Sequence, residues 1–587
     1  MNTHNWKTSI LRWLAWLILC AGMIFEIFVL LNTGMAVISQ LWGQPATNQP
    51  QAGRSIDVTQ VSNYANFVNI LLYFIVGILI VALVVFLDYY LRVGERKGRL
   101  HQRIGLALGL EAGIFLAVQF FFAQLNAIQY ELRALYFPYP LDYGEGQVLD
   151  QVNHLAHFLP IYFTSRATHI PPYTIANYPP LYQLIQVPFV WLFGSAFWYG
   201  RLISLLGVLA GAVSITLIIH TLTGNWAAGV IGGMTTLCMP QIIGWAPFVR
   251  VDQLAFGLSL AALFVVVRWP NGRGGLIAAA ALMVAAAYTK QSYALSAPLA
   301  AFVWLLTQKQ FKRAFWLAGI VAGVGAVIFG LLMLATQCSF FFNIVTATQS
   351  KFVWDTVHYT FDDLFKRLPL MMYGCGLFVV IGLWGKIRPR PWALMSAYLV
   401  GATIEAITIG KDGSSINYLY ELSAAFGLVA GALVAWPGKK FRWASAILMV
   451  LVATQIYAMA DWYHNDFQTG YNFKFEHQNE VAQLAKIVKD APAPVLADEY
   501  MGLIPLVGQT VYMQPFEFKQ LKDAGIWDDQ TIAGEISKKK FSAILIYTPS
   551  SWDSFSERWT PLLRSTILLN YEVTGFYAET EVYTPRK

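Results

Sequence analysis

The 587-residue sequence predicts a polytopic α-helical membrane protein with a small α/β domain at its C-terminal end. Three observations carry that prediction. Hydrophobic residues make up 57% of the chain and charged residues only 12%, against about a quarter charged in soluble globular chains. Apolar segments long enough to cross a bilayer recur from Ile10 to about Met459. From Asp461 onward the chain becomes mixed and charged, with no spanning run.

About thirteen spans are expected, near residues 9–31, 66–92, 103–128, 201–221, 226–244, 253–268, 274–289, 292–307, 314–336, 368–385, 391–409, 421–436 and 441–459. The first follows Lys7 and Arg12, as a signal peptide would. It is longer than an ordinary signal-peptide core and lacks a small-x-small cleavage site, so it reads as a retained helix. The organisation that results is a two-helix extension (1–100), a membrane domain (101–460) and an extracytoplasmic domain (461–587). Within the last, 478–489 and 532–539 read as helices, and 494–499, 510–513 and 541–547 as strands.

Charge fixes the expected sidedness. The net charge is +7, but its cations cluster in short loops: Arg92 to Arg103, Arg268 to Arg273, Lys309 to Arg313, Lys386 to Arg390, and Lys439 to Arg442. With the proposed spans, all five fall on one face, the cytoplasmic one, together with the N-terminus. Such clustering reports threading through a plasma membrane, not affinity for nucleic acid. The four cysteines, Cys20, Cys238, Cys338 and Cys375, lie in or beside apolar segments. They form neither a disulfide framework nor a zinc pattern.

One apolar stretch, from Tyr178-Pro179-Pro180 to Gly194, breaks this parity if it spans, because every later basic loop would then face outward. It reads as a re-entrant or interfacial segment, or as one compensated by an apolar helix around 152–163. The paired prolines suit a helix start, where a missing N–H costs nothing.

The outward loops gather the chemistry. Pro138-Tyr139-Pro140-Leu141-Asp142-Tyr143-Gly144-Glu145-Gly146 places two carboxylates beside a membrane helix, where charge is costly and tends to mark function. His154, His157, Arg166, His169 and Tyr173 follow in the same loop; the histidines lack metal-ligand spacing. Arg250, Asp252 and Lys290 lie in tight turns, and Lys411-Asp412-Gly413-Ser414-Ser415-Ile416-Asn417-Tyr418 with Glu421 fills the last loop. Cations beside carboxylates at a water–lipid boundary suit phosphate binding together with proton abstraction from a hydroxyl. Blander accounts exist for each group. Asp142 and Glu145 would also cap a helix starting near Gln147, Arg250 and Asp252 would form a structural ion pair, and Lys290 would snorkel from a helix end. Glu405, near the outer end of its segment, is a further candidate for the cavity lining.

The ordered set Asp142-Tyr143-Gly144-Glu145-Gly146, Asn177-Tyr178-Pro179-Pro180-Leu181-Tyr182, Gly200-Arg201-Leu202 and Gly410 to Tyr418 resembles the GT-C glycosyltransferases. That group includes protein O-mannosyltransferases, aminoarabinose transferases and many bacterial membrane glycosyltransferases. The likeness covers roughly 103–460; this chain carries two extra spans first, and spreads the acidic pair common in relatives over Asp-Tyr-Gly-Glu. The resemblance implies an inverting transferase that moves a sugar from a polyprenyl-phosphate donor to a hydroxyl of a glycan, lipid or protein acceptor on the extracytoplasmic face. It assigns the base, or a ligand to a divalent cation (Mg or Mn), to Asp142 or Glu145. Arg250, Lys290 and Lys411 then become candidates for holding the phosphate, with Tyr178, Asp252, Asn417, Tyr418 and Glu421 lining the substrate site.

Two rivals stand beside this reading. A transporter or flippase of lipid-linked glycans would carry internal repeats and charges near the membrane centre, whereas here no repeat is evident and the charges gather at one surface. A non-catalytic membrane scaffold leaves the loop carboxylates without a purpose.

Overall fold

A computed structural model describes residues 97–163, 170–384, 388–438, 441–462, 469–492 and 494–587. The expected spans at 9–31 and 66–92, together with Arg166, His169, Lys386, Lys439 and Lys440, lie outside the described residues. Chain contacts divide the molecule into two compact units. One comprises Met1–Ala123 with Leu433–Tyr457, the other Gln124–Ala432 with Ala458–Lys587. In the first, the described residues belong mainly to two helices, the start of Lys97–Tyr136 and most of Arg442–Trp462. The second holds every candidate site residue.

Seven helices among the described residues are long and apolar enough to cross a membrane: Ala107–Tyr136, Trp198–Thr223, Val251–Arg268, Phe311–Ala335, Trp392–Gly410, Ile416–Ala435 and Arg442–Met459. This is an integral membrane protein. The expected spans at 226–244, 274–289, 292–307 and 368–385 fall on shorter helices. In the first of these, Trp226–Leu237 stops and Pro240–Trp245 begins anew. Met239 is extended, as a residue before proline tends to be, and Pro240 occupies a first-turn position. Pro369 likewise opens a helix at a first-turn position, and helices Trp354–Arg367 and Pro369–Leu383 meet there at 97°.

Helices Trp198–Thr223 and Val251–Arg268 make the most intimate contact in the membrane part. A side chain on Gly207 or Gly257 would strike the backbone of the opposite helix, so these glycines let the two axes close up and align Arg201 with the turn at Arg250.

The segment at 179–194 folds as helix Leu181–Phe193. At 13 residues it is roughly 20 Å long, less than the ~30 Å hydrocarbon core. Its last residues Trp191, Leu192 and Phe193 are exposed, and it packs on helix Tyr143–Ala156.

Residues 495–585 contain a four-stranded sheet in the order β1-β2-β4-β3: β1 Val495–Ala497, β2 Ala543–Tyr547, β3 Tyr571–Tyr577 and β4 Thr580–Pro585. Strands β1 and β2 pair in parallel, and β4 pairs antiparallel with both β2 and β3. Two features differ from the sequence reading. Residues 510–513 join no sheet; Met513 bridges Tyr173 instead, because the Tyr173 N–H and carbonyl take up Tyr512 and Gln514 at 2.7 and 3.0 Å. The β3–β4 hairpin was not foreseen. Its turn residues Ala578 and Glu579 have φ of 47° and 55°, a conformation usually announced by Asn-Gly or Asp-Gly.

Candidate active site

Asp142 ends the extended approach from Phe137 and caps helix Tyr143–Ala156, its side chain accepting the Gly144 N–H at 2.9 Å. Its Oδ2 also meets Nη2 of Arg250 at 2.5 Å, with 15% of the Asp142 side chain and 17% of the Arg250 side chain exposed. Gly144 makes that approach available, because a Cβ there would overlap the Arg250 guanidinium. Gly146 serves the other side, where a Cβ would lie 2.5 Å from the Gly502 nitrogen. Burial raises the Asp142 pKa above its ordinary value; Arg250 opposes this, Glu499 and Glu145 add to it, and Lys474 works against it. The Arg250 guanidinium also lies 5.4 Å from the Trp245 ring centroid.

Glu145, three residues on, is completely buried. Its Oε1 accepts Nε of Arg201 and the Val249 N–H, both at 2.9 Å; its Oε2 accepts Nη2 of Arg201 and the Leu141 N–H, both at 2.7 Å. Burial resists its ionisation, but Arg201 and the two backbone donors prevail and hold its pKa below the ordinary value. Arg201 in turn spends its remaining donors on the carbonyls of Ala134, Phe137 and Tyr139. All five N–H groups of the guanidinium are used. The sequence reading flagged Arg201 only as part of Gly200-Arg201-Leu202. The fuller signal was an arginine in an otherwise apolar helix, which demands a buried partner.

A divalent ion bridging Asp142 and Glu145 does not fit this arrangement. Both Glu145 oxygens are saturated, and Arg250 already occupies Asp142. Among the described residues no group of three or more His, Cys, Asp or Glu is arranged to hold a metal.

A second cluster continues from Arg250. Asp252 Oδ1 accepts Lys290 Nζ at 2.6 Å and Asn417 Nδ2 at 3.0 Å, while its Oδ2, also buried, has no hydrogen-bond partner among the described residues. Lys290 stands 4.3 Å above the Tyr418 ring, and Tyr178 lies within electrostatic range of Tyr418, Asp252, Lys290 and Arg250. The fold thus brings Arg250, Asp252, Lys290, Asn417, Tyr418 and Tyr178 together from four separate loops. Glu421 lies deeper, against Glu405 and 3.3 Å from Ser259 Oγ, and Glu405 accepts Ser292 at 2.6 Å. Lys411 is exposed and makes no contact with the Asp252–Lys290 pair; its backbone bridges Phe352.

The membrane part also contains an apolar cavity of about 1030 Å³. Pro179 and Gln291, neighbours in sequence of Tyr178 and Lys290, line it along with Tyr288, Phe302, Phe329 and Phe340.

The C-terminal residues contribute side chains the sequence reading missed. Lys474 donates to the Leu141 carbonyl at 2.9 Å and pairs with Glu499. Arg558 Nη2 binds Glu499 Oε2 at 2.6 Å, and the Tyr143 hydroxyl donates to Glu517 at 2.6 Å. Burial would push the Glu499 pKa up, but Lys474 and Arg558 bring it down to about 2. The adjacent acids Asp498-Glu499, at the end of the strand expected at 494–499, are the signal in the sequence.

The long apolar helices and the loop helices beside them form the GT-C fold, shared with the solved structures that follow. The chain is similar to the crystal structure of ArnT, the aminoarabinose transferase, from Cupriavidus metallidurans in the apo state, with a TM-score of 0.54 and 16% identity over 78% of this chain and 96% of that one. ArnT bound to undecaprenyl phosphate matches with a TM-score of 0.52 and 16% identity, over 78% of this chain and 97% of that one. At this identity the likeness establishes the fold. The oligosaccharyltransferase AglB from Archaeoglobus fulgidus also matches, at a TM-score of 0.43 and 10% identity over 79% of this chain and 74% of that one. No protein-family model and no curated protein sequence matches the chain.

Proposed function

We propose that the protein is a membrane glycosyltransferase that moves a sugar from a polyprenyl-phosphate donor to a hydroxyl acceptor on the extracytoplasmic face, with inversion. The observation that carries this reading is the Asp142–Arg250 pair: a partly open carboxylate held at 2.5 Å by a cation, next to a buried Lys290, in a chain whose membrane part contains an apolar cavity. ArnT, which shares the fold, binds undecaprenyl phosphate, and this supports a donor of that class.

In this reading the apolar cavity takes the isoprenoid chain. Arg250 and Lys290 meet the phosphate, with Tyr178, Asn417 and Tyr418 around it. Asp142 accepts the proton of the attacking hydroxyl. The new bond forms between the acceptor oxygen and the anomeric carbon. The bond from that carbon to the phosphate oxygen breaks, and its electron pair leaves on the polyprenyl phosphate, whose growing charge Arg250 and Lys290 stabilise. Glu145, saturated by Arg201 and backbone N–H groups, is assigned to holding the loop, and Lys411 to the rim. The reading also retains thirteen spans, the division at about 100 and 460, a cytoplasmic N-terminus and an extracytoplasmic C-terminal domain.

The test uses the purified full-length protein with a panel of polyprenyl-phosphate sugars and candidate acceptors. Transfer by the wild type, abolished in Asp142→Asn, is expected. Transfer unchanged in Asp142→Asn would overturn the assignment of the base. Cysteine labelling from the cytoplasm at position 417 would overturn the sidedness.

A further inference from the structure

Asp142 is gripped on both flanks by residues that lie more than 300 positions later in the chain. On one side, Lys474 Nζ holds the carbonyl of Leu141 at 2.9 Å. On the other, Tyr143 gives its hydroxyl to Glu517 at 2.6 Å, and its ring centroid lies 5.0 Å from Cζ of Arg558. Glu499 joins the two cations: it pairs with Lys474 through one oxygen and with Arg558 at 2.6 Å through the other. The three side chains are largely buried, with 5% of Lys474 and 11% of Glu499 and of Arg558 exposed. Glu499 is itself positioned by its neighbour Asp498, which accepts the Trp559 indole N–H at 3.1 Å and the Tyr547 N–H at 2.9 Å.

We propose that Lys474, Glu499 and Arg558 are positioning residues: a charged clasp that fixes the main chain on either side of Asp142 and sets the field in which that carboxylate works. The proposal rests on the reading of Asp142 as proton acceptor. A loop carboxylate serves as a base only if it is held within a fraction of an ångström of the reacting hydroxyl, and a displacement of about 1 Å costs on the order of 100-fold. Exposed ion pairs fix little, whereas a largely buried chain of three charges whose removal would strand a partner resists displacement. Glu499 is the centre of that chain, because Lys474 and Arg558 both pair with it.

The clasp also acts through charge. Among the charged groups around Asp142, Arg250 and Lys474 favour its ionised form, while Glu499 and Glu145 oppose it. Removing the Glu499 charge makes Asp142 easier to ionise, so its basic form survives to lower pH and the acid limb of the rate profile moves down. Removing the Lys474 charge has the opposite sign and moves the limb up. A side chain that merely fastened the C-terminal residues would slow turnover without moving the two limbs in opposite directions.

The experiment compares the purified full-length wild type with Glu499→Gln, Lys474→Met and Lys474→Arg by two readouts. The first is the pH–rate profile with a polyprenyl-phosphate sugar that the wild type turns over. For Glu499→Gln and Lys474→Met we expect kcat to fall about 10- to 100-fold, donor KM to stay within about twofold, and the acid limbs to shift in opposite directions; Lys474→Arg should recover most of the rate. The second readout needs no activity: hydrogen exchange at the amides of Leu141 to Glu145, which should accelerate in Glu499→Gln while the membrane helices stay as in the wild type. Unmoved limbs, or wild-type exchange across Leu141 to Glu145, would overturn the clasp. A wild type inactive on every donor while exchange behaves as expected would instead count against the transferase reading and leave the clasp standing.

Discussion

Asp142 and Glu145 are three residues apart and opposite in character: Asp142 leaves 15% of its side chain open against a single guanidinium, whereas Glu145 is sealed with both oxygens filled by Arg201 and two backbone N–H groups. A base needs a free lone pair and a path for the proton. Only Asp142 has both, so the two carboxylates predict different mutant behaviour.

Asp142→Asn should reduce turnover about 10²–10⁴-fold, the usual worth of a general base, while the protein unfolds within about 1 kcal/mol of the wild type. Donor transfer kinetics alongside thermal unfolding in detergent check both halves.

Arg201→Met should fail differently. It strands a buried carboxylate, which typically costs about 3–5 kcal/mol. The expected outcome is a large fall in the unfolding midpoint with little protein recovered folded. An Arg201→Met protein as stable as the wild type would contradict the anchoring role.

Lys290→Gln should weaken binding of polyprenyl phosphate about tenfold or more, because a charge-assisted contact to the phosphate is lost. Titration with the lipid phosphate alone, without sugar, isolates this effect. Lys411→Gln, at the exposed rim, should leave it within about twofold.

Acid stability should report Glu499. Its folded pKa is about 2 against about 4.3 in an unfolded chain. The pairing therefore contributes stability that is present in full above pH ~4.3 and lost as pH falls toward about 2. Glu499→Gln should flatten the stability profile across that window, measured as the unfolding midpoint against pH.

Filling the apolar cavity should discriminate by chain length. Ala322, which lines it, replaced by Trp should raise KM for long polyprenyl donors more than for short-chain analogues. An equal change for both would remove the cavity from the donor site.

Much of the architecture was legible because it depends on local composition. A run of apolar residues declares a membrane helix wherever it sits, although the break at Pro240, inside the expected span 226–244, was not read from it. The loop 410–418 and the turns at Arg250 and Lys290 stood out as candidates because charge is rare in this chain. Other elements left no such mark. The β3–β4 hairpin turns on Ala578 and Glu579, which lack the usual turn chemistry. Residues 510–513 look like any sheet strand, yet they pair with Tyr173, some 340 positions earlier.

The sequence alone determined that this is a membrane protein of many spans, and it marked an acidic loop with Asp142 and Glu145, and several cations, as the candidates to weigh. Only the tertiary structure decided between them. It gave Glu145 to Arg201, gave Asp142 to Arg250, and brought Lys474, Glu499 and Arg558 to the flanks of Asp142. The reason is physical: the role of a carboxylate follows from which donors fill its lone pairs and what excludes water from it. Three of the four donors to Glu145 come from Arg201 and Val249, 56 and 104 positions away, a separation that no local pattern of residues encodes.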